Sequence, residues 1–167
     1  MIARSTKVPG LSGGCQCGAV RYRISGDLGK AGICHCRMCQ KAFGNFGAAL
    51  VSVPVAQVIW TRGRAAEFRS SAIVARGFCS NCGTPLYMRE EGDQYYGDHY
   101  YEMSIGSLDD PNAIGPMADQ AGIESKVSWF DSMGMLPAKR TEDYRTPEDM
   151  KRLRSLQHPD HDTEHWP

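Results

Sequence analysis

The sequence has no long apolar run, no net charge, no internal repeat and no low-complexity tract. Each absence excludes something. No stretch approaches the roughly 20 consecutive apolar residues that cross a bilayer as a helix, so no membrane partner is expected. The first residues, MIARSTKVPGLSGG, lack the apolar core of a secretory leader. Nineteen Lys and Arg balance nineteen Asp and Glu. Without a net field there is no general pull toward nucleic acid, and none is expected as a partner. The expected location is cytoplasmic, where thiols stay reduced.

What is present points to one mainly β domain. The chain has 167 residues, with 18 glycines and 9 prolines. That composition favours turns and short strands over a helix bundle. Alternation of apolar and polar residues predicts strands near 19–25, 47–53, 57–61, 66–70, 73–78, 84–89 and 99–105. Residues 1–14 read as a loose arm, 26–32 as a turn region and 109–122 as an irregular crossing. Residues 125–130 read as a last short strand or a docking segment. Thr146 is a natural N-cap, Pro147 fits the first helical position, and Glu148 and Asp149 suit the positive end of a helix. A short surface helix over 147–157 follows, with Met150, Leu153 and Leu156 as a thin apolar stripe. The tail 158–167 is polar and is expected to be mobile. The expected inventory is about eight short strands and one helix.

All seven cysteines fall in three clusters: Cys15 and Cys17; Cys34, Cys36 and Cys39; Cys79 and Cys82. Reduced, clustered cysteines read as metal ligands before disulfides. The first and third clusters each end in Cys-Gly, where a glycine at positive φ closes a sulfur-binding turn. Pairing them gives a closed four-thiolate site of structural type. The alternative is four buried free cysteines. The triplet is odd in number, and Cys34 and Cys36 are too close for an unstrained bridge. On a tetrahedral ion, three thiolates leave one position open, which marks catalytic sites. A fourth protein ligand would make it a second clamp. His35 lies between two of the cysteines and is expected to point away. His99 is the best remote candidate, and His158, His161 and His165 read as solvated tail residues. Zinc with three thiolates carries a formal charge of −1, a poor setting for hydroxide chemistry and a reasonable one for thiol exchange.

Taken together, the stretches GGCQCGAVRY (13–22), CHCRMCQK (34–41), GFCSNCGTPLY (77–87), IGSLDDP (105–111) and SKVSWF (125–130) resemble the glutathione-dependent formaldehyde-activating enzyme family. That family also includes centromere-protein-V-like proteins. The resemblance spans roughly residues 13–137. It implies a β-tent fold of short coiled antiparallel sheets with zinc knuckles, similar to methionine sulfoxide reductase B. It divides the chain into an arm (1–12), a zinc-binding domain (13–137) and a C-terminal extension with a short helix (138–167).

The resemblance also implies two zinc ions. One is structural, at Cys15, Cys17, Cys79 and Cys82; the other belongs to the active site, at Cys34, Cys36 and Cys39. The implied reaction joins glutathione to formaldehyde, formally a carbon–sulfur lyase run toward synthesis. Lys41 is the candidate acid. Lys41, Arg37 and Arg76 are the candidate partners for glutathione carboxylates, with ordinary surface charge as the alternative. Phe43, Phe46, Trp129 and Phe130 are split between core and pocket wall. Alternation would turn one residue inward from each of the pairs Tyr95/Tyr96 and Tyr100/Tyr101. The alternative function is a non-catalytic zinc-stabilised interaction module. A reductase would need a further cysteine outside the two sites.

Overall fold

The computed structural model of the chain describes residues 10–92 and 99–166. Ten strands lie among them, in two sheets. Strands β1 (Leu11–Gly14), β2 (Arg21–Ile24) and β5 (Val58–Arg62) form an antiparallel three-stranded sheet in the order β1-β2-β5. The second sheet contains β3 (Ala31–Cys34), β4 (Ala48–Pro54), β6 (Ala66–Arg69), β7 (Val74–Phe78), β8 (Pro85–Glu90), β9 (Tyr100–Ser104) and β10 (Asp119–Ala121). Its order is β10-β3-β4-β9-β8-β7-β6, antiparallel except for the β10–β3 pair. The mainly β class, the cysteine turns and the short C-terminal helix are those expected.

The core lies between the sheets. Tyr22 and Ile24 of β2 meet Val51, Val53, Leu86 and Met103 of the larger sheet, all fully buried. Trp60 links the layers, with ring centroids 5.9 Å from Tyr22 and 5.9 Å from Tyr87. Strand β4 is covered on both faces, as a central strand requires. Val51 and Val53 turn into this core, while Ala48 and Leu50 turn to the opposite face and pack with Cys39. That second face carries the site.

The structure departs from the expected elements in several places. β1 takes part of the supposed loose arm and is held by pairing with β2. β3 takes the last two residues of the supposed turn and runs into Cys34. β10 orders the end of the irregular crossing by parallel pairing with β3. A helix, α1 (Arg37–Phe43), starts inside the triplet, capped by the Cys36 sulfur and closed by left-handed Gly44. No strand forms over 125–130, where 3₁₀ turns at Ile123–Ser125 and Phe130–Met135 take its place. Helix α2 (Pro147–Arg152) is capped by Thr146 as expected but stops early. Leu156 is 91% exposed, so no packing supports a longer helix.

The tail is anchored to the sheet rather than free, although several of its residues stay exposed. Asp162 pairs with Arg21 at 2.9 Å and Arg23 at 2.7 Å. Arg62 donates to the Thr163 carbonyl at 2.5 Å, and the Trp166 indole N–H donates to the Cys17 carbonyl at 2.9 Å.

Candidate metal centres

The turn at Cys79 is built by its backbone. The Gly83 N–H donates to the Cys79 carbonyl at 2.8 Å, with Gly83 at φ +77°. The turn at Cys15 repeats the pattern: the Gly18 N–H donates to the Cys15 carbonyl at 3.0 Å, with Gly18 at φ +72°. The Val20 N–H then reaches the Cys15 sulfur at 3.2 Å. These turns bring the sulfurs of Cys15, Cys17, Cys79 and Cys82 within 4.8 Å of one another. Cys15 and Cys17 sulfurs are 3.5 Å apart, and those of Cys17 and Cys79 are 3.7 Å apart. A disulfide needs about 2.05 Å. A tetrahedron with metal–sulfur bonds of about 2.3 Å has edges of about 3.8 Å, so the donor set fits a single ion.

The four thiols are not equivalent. Burial pushes Cys15, Cys17 and Cys79 up. Burial works the same way on Cys82, but hydrogen bonds from Thr84 and the Cys17 backbone outweigh it and bring that thiol down to about 6. The Gln16 N–H donates to the Thr84 hydroxyl, leaving the hydroxyl proton free for the Cys82 sulfur at 3.2 Å.

The second cluster gathers Cys34 from the end of β3, Cys36 from the cap of α1 and Cys39 from its first turn. Their sulfurs also lie within 4.8 Å of one another. Among the described residues no His, Asp, Glu or further Cys joins them. Cys39 is buried and Cys34 is half-buried. Arg76 of β7, itself buried, directs both terminal nitrogens at the Cys39 sulfur at 3.6 Å. Its Nε donates to Ser70 Oγ at 3.0 Å. The hydrogen bond with Cys39, helped by the Cys36 backbone and the Arg76 charge, pulls Cys34 down to about 5. The same bond and burial push Cys39 up. Both clusters can therefore hold a metal ion, one closed by protein sulfur and one with three protein donors.

Cys34 opens into a cavity of about 220 Å³ on the outer face of the larger sheet. Leu50 and Met88 line one part of it, and Lys30, Glu90, Glu102 and Asp119 another. The segment after β10 closes the far side of the triplet. The His35 N–H donates to the Ala121 carbonyl at 2.8 Å, and Gln40 Nε2 donates to the carbonyls of His35 and Ser125. A side chain on Gly122 would come within 2.7 Å of the Cys36 nitrogen, so only glycine allows this approach.

The model of the glutathione-dependent formaldehyde-activating enzyme family matches residues 10–121. The chain belongs to that family. No curated protein matches it closely enough to count as a relative. A crystal structure of a Rhodobacter sphaeroides protein is 18% identical, covering 66% of this chain and 99% of its own, with a TM-score of 0.49.

In this family member the other expected site residues disperse. Lys41 is exposed and lines a separate groove with Arg37, Phe46 and Trp129. Arg76 lies beneath Cys39 instead of at the surface. His35 is fully buried, hydrogen-bonded through Nε2 to Gln120 Oε1 at 3.0 Å, and packed edge-on against Phe130 at 4.6 Å. It points away from the sulfurs, as expected. His99 is exposed and outside the cluster.

His158 is buried and locks the tail: its N–H donates to the Gln16 carbonyl at 2.8 Å. His161 and His165 are exposed. Phe43 packs with the triplet's small core. Tyr101 turns inward against Tyr87 at 4.3 Å and Tyr100 lines the Cys34 cavity. Tyr95 and Tyr96 lie outside the described residues. Sequence reasoning missed Lys30, Glu102 and Asp119 altogether. No local signal places them on one face; Asp119 reaches it only through its pairing with Gly32, and Glu102 through its pairing with Ser52.

Proposed function

We propose that the chain is a zinc-dependent enzyme that joins a thiol to a small carbonyl compound, a carbon–sulfur lyase reaction run toward synthesis. Glutathione and formaldehyde are the pair that the family description supplies. Cys15, Cys17, Cys79 and Cys82 would hold a structural zinc, and Cys34, Cys36 and Cys39 the working one. The observation that carries this reading is a triplet with no fourth donor among the described residues, opening through Cys34 into a cavity.

A zinc at the triplet supplies Lewis acidity and a position for a substrate thiolate. The protein's own part is to hold the sulfurs, bury Cys39 and set Arg76 beside it. The chemistry balances without a redox partner. The thiol sulfur forms a bond to the carbonyl carbon, the π pair moves to oxygen, and the thiol proton ends there as a hydroxyl. Lys41 faces the separate groove, so the acid role does not carry over to it. Seven free thiols support a reducing compartment, in keeping with cytoplasm. No helix among the described residues is long and apolar enough to cross a membrane.

The test mixes zinc-loaded protein with formaldehyde and glutathione and follows adduct formation above the spontaneous rate. The expected result is acceleration that disappears in a Cys34→Ser, Cys36→Ser, Cys39→Ser triple variant whose fold, read by circular dichroism, is retained. A triple variant with the full rate would sink the proposal.

A further inference from the structure

Residues 157–166 return to the turn that carries Cys17. That turn offers three consecutive carbonyls, at Gln16, Cys17 and Gly18, and all three are taken. The His158 N–H donates to the Gln16 carbonyl, the Trp166 indole N–H to the Cys17 carbonyl, and Arg62 to the Gly18 carbonyl at 3.1 Å. Arg62 also donates to the Thr163 carbonyl and hydroxyl, so it joins the turn to the tail. Gln157 Nε2 donates to the Gln16 side-chain oxygen at 2.9 Å, while Gln16 Nε2 donates to the Cys82 carbonyl at 3.2 Å. Gln16 thereby ties the tail to both cysteine pairs.

The packing matches the bonding. His158 is buried, and its ring meets the Trp166 ring edge-on at 4.9 Å. Both rings lie on Gly18: a Cβ there would come within 2.4 Å of His158 Cδ2 and 2.6 Å of Trp166 Cδ1. The chain before this anchor is different. Among the described residues, 137–156 are exposed apart from Asp149, and they hydrogen-bond only among themselves or to Gln157. An unattached tether followed by a bonded end can detach locally, because its release breaks no strand pairing.

Of the four clustered cysteines, Cys15 and Cys79 are buried, whereas Cys17 and Cys82 are half-buried. A chelator or competing thiol removes a metal by displacing one sulfur at a time, starting where a sulfur can be reached. Cys82 is steadied by its own knuckle and by the Thr84 hydroxyl at 3.2 Å. Cys17 sits on the turn that the tail grips. We infer that residues 157–166 are a strap that keeps Cys17 in the four-sulfur set. With the strap closed, the ion held there exchanges slowly. With the strap open, the Cys17 turn can swing away and the ion is released. The strap lies outside residues 10–121, the stretch that the family model matches, so family membership does not account for it. The inference rests on the closed cluster holding an ion, as proposed above, and not on any reaction at the triplet.

The test follows zinc release from the loaded full-length protein into an excess of chromophoric chelator. The phase that belongs to the four-sulfur cluster is the one kept by the Cys34→Ser, Cys36→Ser, Cys39→Ser triple variant. His158→Ala with Trp166→Ala should speed that phase at least about tenfold, because each anchor removed raises the population of open strap. Trp166→Phe keeps a ring on Gly18 and loses only the bond to the Cys17 carbonyl, so it should speed the phase about threefold. It decides the matter alone if the double variant does not fold. Val53 is fully buried in the core and has no bond to the tail. Val53→Ala should lower the melting temperature at least as far as Trp166→Phe does, yet leave the phase within about twofold of wild type. Tail variants that release zinc at the wild-type rate would overturn the strap. Equal acceleration by Val53→Ala would also overturn it, because release would then run through global unfolding. A chain that holds no tight ion would bring down the cluster reading and the strap together.

Discussion

Replacing Arg76 with Met tests how the triplet is held electrostatically. Arg76 is buried, its two terminal nitrogens approach one sulfur at 3.6 Å, and among the described residues it forms no ion pair with a carboxylate. A unit charge pair at that separation is worth about 4–5 kcal/mol at an effective dielectric of about 20, before desolvation is subtracted. Net hydrogen bonds to a charged group are worth about 1.5–3 kcal/mol. Taking about 2 kcal/mol as the surviving contribution, the variant's triplet should bind zinc about 30-fold more weakly. Met fills most of the same volume, so packing loss is small.

The assay is competition with a chromophoric chelator, which resolves a weak and a tight ion per chain. The four-sulfur cluster serves as an internal reference, because no contact joins it to Arg76. Arg76→Lys keeps the charge but loses the two-pronged approach, and should fall between wild type and Met. Unchanged affinity at the triplet in Arg76→Met would refute the electrostatic account. Equal weakening at both clusters would mean that the fold, not the local field, had been damaged.

Two further expectations follow from the clusters and the tail. Cys79→Ser opens the clamp between the first and third cysteine pairs and should lower the melting temperature by roughly 10 °C, as a loss of several kcal/mol does in a chain of this size, whereas Cys34→Ser should lower it by less than about 3 °C. Equal effects in a scanning-calorimetry comparison would contradict the division into a structural and a working site. Asp162→Asn should cost about 1 kcal/mol near pH 7, a modest figure because the carboxylate is partly exposed and screened. Burial acts to raise the Asp162 pKa, but the hydrogen bonds from Arg23 and Arg21 outweigh it and hold the carboxyl below its usual value. Its contribution is therefore complete above the unfolded value of about 3.9 and is lost as pH falls through the lower folded-state value. Urea unfolding at neutral and acid pH should show wild type and variant converging in acid, and a constant gap would rule the ion pair out as the cause.

The sequence showed the cysteines more clearly than the elements that carry them. The two Cys-Gly turns need a positive φ whatever surrounds them, so the closed cluster could be paired before any sheet was known. The alternating strands were legible for the same local reason. What escaped was set by distance. β3 reads as a turn because Gly32 breaks its pattern, yet that glycine makes room for Asp119, brought in by parallel pairing. α1 is only two turns long, and its cap is Cys36, a residue already read as a metal ligand. Arg76 looked like surface charge because nothing local says that β7 packs behind Cys39. The tail is polar throughout, and its anchors Arg21 and Asp162 are 141 residues apart.

Charges of both signs lie near the triplet, and their placement bears on the proposed reaction. Arg76 places a buried positive charge behind Cys39, while Asp119 and Glu102 place negative charge across the cavity beyond Cys34. The register puts Arg76, Met88 and Glu102 in one row, so Arg76 and Glu102 stand two strands apart. When a thiol adds to a carbonyl, negative charge builds on the carbonyl oxygen, which needs the positive side. A carbonyl bound among the carboxylates would be opposed by them. If the proposed addition takes place at the triplet, the charge that develops on the carbonyl oxygen is best placed on the Arg76 side. On this reasoning Arg76→Met should slow the addition step itself at saturating zinc, and an unchanged rate at saturating zinc would rule that role out.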